Sequence, residues 1–136
     1  MKKLLMLAAA LALSACARPG VARGDHLRCT IDYTLTVGPL LMESRADVVL
    51  EINGAARRWR VSELTIVTPW NGPEGVAPWA IFPLGRDVEI ARIRADEVVL
   101  FQDGEAGFSI NRVTGDAGMA RAGAGGESEY SGGCAG

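Results

Sequence analysis

Lysine occurs only at Lys2 and Lys3 in this 136-residue chain; its remaining basic residues are 12 arginines. Beyond residue 3 there is therefore no amine for a Schiff base or a phosphate-binding loop. Histidine occurs once, at His26, and cysteine three times, at Cys16, Cys29 and Cys134. One imidazole and no cysteine pair at ligand spacing give a zinc ion no ligand set, and no Asp-rich loop with a central glycine suggests calcium. No metal is expected. Long apolar runs are also missing: the longest, Leu4 to Leu13, is half of the ~20 residues a membrane-crossing helix needs. Helical periodicity and internal repeats are absent throughout.

What is present begins at the N-terminus. Met-Lys-Lys, a short apolar middle and small residues before a boundary describe a secretory signal peptide. Its end, Leu13-Ser14-Ala15-Cys16, resembles the lipobox of bacterial lipoproteins. That resemblance implies cleavage before Cys16, whose thiol carries a diacylglycerol and whose amine becomes the new N-terminus. One acyl chain binds a membrane marginally, whereas two or three anchor stably. Ala17, where aspartate would favour inner-membrane retention, implies the outer membrane, facing the periplasm. The covalent lipid is the only prosthetic group expected, and no cofactor is.

Removal of residues 1–15 leaves 121 residues, enough for one domain, with 12 arginines against 16 acids. A net charge of −4 speaks against nucleic acid, whose binding rests on a basic face. With Cys16 lipidated, Cys29 and Cys134 remain in an oxidising compartment and are expected to bond. Closing so long a loop contributes about 4.7 kcal/mol in the chain-entropy model, and it brings the two ends of the domain together.

Residues 16–26 comprise the lipidated cysteine and a Gly/Pro-bearing tether; residues 27–136 comprise a single β-domain. LRCTIDYTLTV alternates apolar and polar residues from Leu27 to Val37, the mark of a half-buried strand. ADVVLEI and AARRWRV flank Asn53-Gly54, the pair that suits a two-residue hairpin turn. That turn sets Ile52 opposite Ala55, Leu50 opposite Arg57, Val48 opposite Trp59 and Asp47 near Arg60. SELTIVT adds a strand, as does DVEIARI; EVVLFQD and GFSINRV make a hairpin around Gly104; GMARAG gives a weak last strand. The Gly/Ser-rich end is expected to wander but for Cys134. Seven or eight short strands with tied termini predict an all-β fold, a small antiparallel meander closed into a barrel or sandwich.

Residues 69–85 carry four prolines, which rule out a helix or central strand there. Trp70, Trp79 and Phe82 make this loop the candidate binding surface, or else a plug for one end of the barrel. Arg57, Arg58 and Arg60 around Trp59 are the candidate anion contact, for lipid phosphates, unless Asp47 and Glu51 occupy them. Ser109-Ile110-Asn111-Arg112 with Thr114-Gly115 and a late Gly-Gly-Cys is similar to small uncharacterised proteobacterial secreted β-proteins; Ile110 is expected inward and Arg112 outward. No catalytic residue is assigned, since His26 and Asp25 point to opposite faces of a strand.

These features predict a non-enzymatic cell-envelope lipoprotein whose β-domain binds a periplasmic protein, glycan or lipid. Size, lipobox, disulfide and fold class also resemble membrane-anchored lysozyme inhibitors. Their Ser-Gly-x-x-Tyr loop has no counterpart: the nearest text is Glu129-Tyr130-Ser131-Gly132-Gly133, in a different order. A carrier holding an apolar molecule inside the barrel is the third possibility, open only if side chains leave the interior empty.

Overall fold

The computed structural model describes residues 21–123 and 125–136. The signal-peptide and lipobox readings, with Cys16, lie outside the described residues.

Nine strands form one antiparallel sheet: β1 (His26–Val37), β2 (Leu40–Asn53), β3 (Arg58–Thr68), β4 (Val88–Glu89), β5 (Arg92–Ile93), β6 (Glu97–Asp103), β7 (Ala106–Asn111), β8 (Asp116–Gly123) and β9 (Gly126–Ala135). Their order across the sheet is β4-β3-β2-β1-β9-β8-β7-β6-β5. The meander is thus all-β and curled, with first strand beside last. β1 alternates as its sequence does: Leu27, Cys29, Ile31 and Tyr33 are buried. Gly38, at φ 57°, turns the chain into β2.

Four features differ from the sequence expectation. The β2–β3 register is the first: Ile52 pairs with Trp59, Leu50 with Val61, Glu51 with Arg60 and Asn53 with Arg58. Asn53 ends the strand instead of entering a two-residue turn, because its Oδ1 accepts the Ala56 N–H at 3.0 Å and Arg57 takes the left-handed conformation at φ 54°. The loop is four residues long, so Arg57 sits in it and not opposite Leu50. Trp59 stays on the core face, with 1% of its surface exposed.

Second, RWRV and SELTIVT form one strand, β3, whose two register shifts against β2 absorb the break in alternation. Third, DVEIARI divides into two short strands at opposite edges of the sheet. Val88 and Glu89 pair with β3, while Arg92 and Ile93 pair with β6. Between them the Ile90 N–H donates to Arg57 O and the Ala91 N–H to Leu100 O. Six residues thereby join the two edges that a curled meander leaves unpaired. Fourth, the Gly/Ser-rich terminus, tied by Cys134 as expected, is itself a strand: β9 pairs with β8 from Asp116/Gly133 to Gly123/Gly126 and with β1 from Thr36/Glu127 to Arg28/Ala135. Glycine suits it because the strands approach closely; a Cβ at Gly132 would lie 2.0 Å from Thr30 O.

Cys29 and Cys134 face each other in the β1–β9 register and are disulfide-bonded across 105 residues of chain. The interior is filled by side chains, among them Trp59, Phe108, Leu27, Ile31, Leu50, Leu100 and Ile110. β7 and β8 pair only at Ser109/Gly118 and Ile110/Ala117, although the β6–β7 hairpin continues to Asp103/Ala106 and the β8–β9 hairpin to Gly123/Gly126.

Candidate functional site

The strands give the domain two ends. At one end lie residues 21–25, the β2–β3 loop and the β7–β8 turn; at the other lie the β1–β2 turn, the Gly104 turn and the β8–β9 turn.

At the first end, residues 21–25, read above as tether, are docked on the sheet. The Gly136 N–H donates to Val21 O, the Ala22 N–H to Arg112 O and the Gly24 N–H to Gly136 O, and Ala22 is fully buried. The clamp is Arg112. Expected outward, it is only 8% exposed. Its Nε donates to Ala22 O at 3.1 Å, and its Nη2 to Arg23 O at 2.6 Å and to Gly24 O at 3.2 Å. Asn111 turns the chain just before the next strand, its Oδ1 accepting the Val113 and Thr114 N–H groups. Alternation fails for Arg112 because β7 has ended at Asn111. Burial pushes its guanidinium below the ordinary arginine value.

The arginine cluster lies at this end. Arg57 and Arg58 are exposed, while Arg60 is half-buried and donates to Glu51. Glu51 also meets His26 Nε2 at 3.4 Å. The hydrogen bond from Arg60 holds the Glu51 carboxyl below its ordinary value. A broad open depression of about 780 Å³ runs beside them, lined by Asp25, His26, Glu51, Arg58, Arg60 and Asp87 among others. Acids and bases alternate there. Among the described residues no three His, Cys, Asp or Glu side chains gather as a metal site would require.

At the other end the Trp/Pro loop divides. Trp79 and Phe82 are 9% and 4% exposed and enter the core, where Phe82 meets Phe108 edge-on at 5.5 Å. Trp79 Nε1 donates to Ser44 Oγ at 2.9 Å, and Ser44 Oγ donates to Thr68 O at 2.7 Å. The Tyr130 hydroxyl donates to Pro78 O, and burial raises Tyr130 well above the ordinary tyrosine value. These two aromatics plug the curled sheet. Of the three candidate aromatics Trp70 keeps a face at the surface, half-buried, edge-on to Tyr33 at 5.4 Å and donating from Nε1 to Pro73 O, and Leu84 at the end of the loop is 61% exposed. Beyond it the strand ends expose Val37 (40%), Leu40 (62%) and Leu41 (60%), with Ile66 and Val67 nearby at 51% each.

Sequence reading missed Arg112 and Ser44. Nothing in a linear pattern marks either, since each is defined by carbonyls from distant segments. The exposed leucines were legible as letters, but Leu40 to Met42 carry no polar alternation that would call them a strand. No family model, curated protein or solved structure matches this chain.

Proposed function

We propose that this chain is a non-enzymatic, lipid-anchored envelope protein whose β-domain holds its binding surface at the end remote from the anchor. The observation that carries the reading is the clamp on residues 21–25. Cys16 is five residues from Val21, at most about 18 Å of extended chain. β1 then runs 12 residues away from the clamp, about 36 Å. An anchor at Cys16 therefore sets the loop bearing Arg57 and Arg58 toward the membrane, and Val37, Leu40, Leu41 and Trp70 toward the periplasm. Arginines beside an anchored end suit lipid phosphates, each adding about 1 kcal/mol near an anionic surface.

Binding at the surface is favoured over carriage inside, because Trp79, Phe82 and Phe108 occupy the interior. The lysozyme-inhibitor reading has less support, since Tyr130 is buried and bonded to Pro78.

The test is site-specific photocrosslinking in intact cells, with the photoreactive residue at Leu41 or at Arg57. The reading expects a discrete protein or glycan adduct from position 41 and lipid adducts from position 57. Lipid adducts from both positions, with no other species, would overturn it.

A further inference from the structure

Residues 88–93 close the sheet only at the end that carries residues 21–25. On the side away from β2, β3 pairs with β4 at Arg58 and Trp59 and bridges Leu84 from Val61. The Val61 N–H donates to Pro83 O, and Val61 O accepts the Gly85 N–H. From Glu63 to Val67 that side of β3 has no partner strand among the described residues. Toward β2 the same stretch is regular: Glu63, Leu64, Thr65 and Ile66 face Val49, Val48, Asp47 and Ala46 in turn. Burial agrees with an uncovered edge. Ile66 shares a sheet face with the fully buried Ala46 yet is 51% exposed, Val67 is as exposed, and so is Thr65 on the other face.

A row of unpaired N–H and C=O groups is a template for another strand, and natural proteins blunt such edges with lysine, proline or bulges. Glu63 to Val67 contains no lysine and no proline, and the two register shifts of β3 lie at its ends. Three of its five residues, Thr65, Ile66 and Val67, are β-branched, the side chains that pair best across strands. Glu63 is its one charge and makes no salt bridge among the described residues. The edge thus asks for a backbone, for apolar side chains beside Leu64 and Ile66, and for one cation.

We infer that the free edge of β3, Glu63 to Val67, is a strand-addition site for an extended, β-branched segment of another protein that carries one basic residue. The segment runs antiparallel, as β2 and β4 do beside β3. Its apolar side chains extend the face of Leu64 and Ile66, and its cation lies opposite Glu63. Main-chain hydrogen bonds supply the affinity and the alternate side chains the selection. A second copy of this chain is the wrong occupant. Two identical edges joined in one continuous sheet are related by a two-fold axis and run antiparallel. The residues 21–25 of the two copies would then point opposite ways and could not both face one membrane. Only that exclusion rests on the proposed orientation; the free edge does not.

The test uses the full chain extracted from cells in non-ionic detergent and the capped peptide Thr-Val-Thr-Val-Lys, whose antiparallel register sets valines beside Ile66 and Leu64 and lysine opposite Glu63. Two further peptides carry N-methyl groups, one on both valines and the other on the second threonine and the lysine. In a strand only one of these alternate sets of amides faces the neighbour. Fluorescence anisotropy reads affinity, and hydrogen–deuterium exchange reads the amides of residues 63–67. The parent peptide is expected to slow exchange there. One methylated peptide is expected to bind at least about tenfold more weakly and the other like the parent. Glu63→Lys is expected to weaken the parent about two- to fivefold and to favour the peptide ending in glutamate instead. Equal binding of the two methylated peptides, protection elsewhere than at 63–67, or no binding at millimolar concentration would overturn the inference. So would protection of 63–67 without peptide that grows with protein concentration, which means a second copy, or that appears on adding phosphatidylcholine vesicles, which means a membrane. The peptide arms bypass the cell, so their failure leaves the crosslinking result at position 41 standing, and lipid-only adducts at 41 would leave peptide binding intact.

Discussion

Replacing Arg112 by methionine removes the clamp on residues 21–25 while keeping much of the buried volume. Three carbonyls, of Ala22, Arg23 and Gly24, lose their donor. Hydrogen bonds to a charged group contribute about 1.5–3 kcal/mol each, but the three share one guanidinium whose desolvation opposes them. Released residues 21–25 can also turn their carbonyls to water. The net loss expected is therefore about 2–4 kcal/mol. With a urea slope of about 1–3 kcal/mol/M for small proteins, the midpoint falls by roughly 0.7–4 M. Hydrogen exchange separates local from global loss: the Ala22, Gly24 and Gly136 amides, all bonded within the clamp, lose protection before the β1–β9 ladder does. Arg112→Lys retains the charge but not the planar fork, and recovers less than half. A midpoint within about 0.2 M of the unaltered protein, with those three amides still protected, would refute the reasoning.

Reducing the disulfide, or replacing Cys29 and Cys134 by alanine, is expected to cost about 2–5 kcal/mol, read by chemical denaturation. Trp79→Ala removes a plugging ring and the donor to Ser44, for about 3–5 kcal/mol, with loss of near-ultraviolet ellipticity; Trp70→Ala, at a half-exposed ring, costs less than half of that. Gly132→Ala forces a methyl against Thr30 O and is expected to destabilise by about 3 kcal/mol or more, read as a lowered melting temperature. Tyr130 has a raised folded-state value, so the folded protein keeps a proton that the unfolded chain releases above about pH 10. Its contribution is fully present below that pH and falls as pH rises; denaturation series from pH 8 to 12 should show the decline, and Tyr130→Phe should make it shallower.

How far the sequence was legible follows from where each signal resides. β1 was readable because four alternating residues, Leu27, Cys29, Ile31 and Tyr33, face one core, and the β6–β7 hairpin because Gly104 adopts φ 62° between two patterned runs. The pairing of Cys29 with Cys134 followed from there being no other partner once Cys16 was set aside. Failure came where a contact from elsewhere decides the outcome. Asn53-Gly54 has the letters of a tight turn, but pairing Ile52 with Trp59 keeps both apolar side chains on the core face and lengthens the loop. DVEIARI alternates well as one strand, yet the two sheet edges each take two of its residues. β9 has almost no apolar pattern, and Gly132 serves close approach to β1 and not burial. Arg112 looks like a surface residue in any window of sequence; only the carbonyls of residues 22–24, some 90 residues away, make it interior.

Orientation on a membrane is the claim on which the functional reading depends. The direct measurement is fluorescence quenching by lipids with nitroxide headgroups, on protein reconstituted in vesicles and carrying a fluorescent amino acid at position 57 or position 41. The account predicts strong quenching at position 57 and little at position 41, which β1 places about 36 Å further along the domain. Equal quenching at both positions, or stronger quenching at 41, would contradict it.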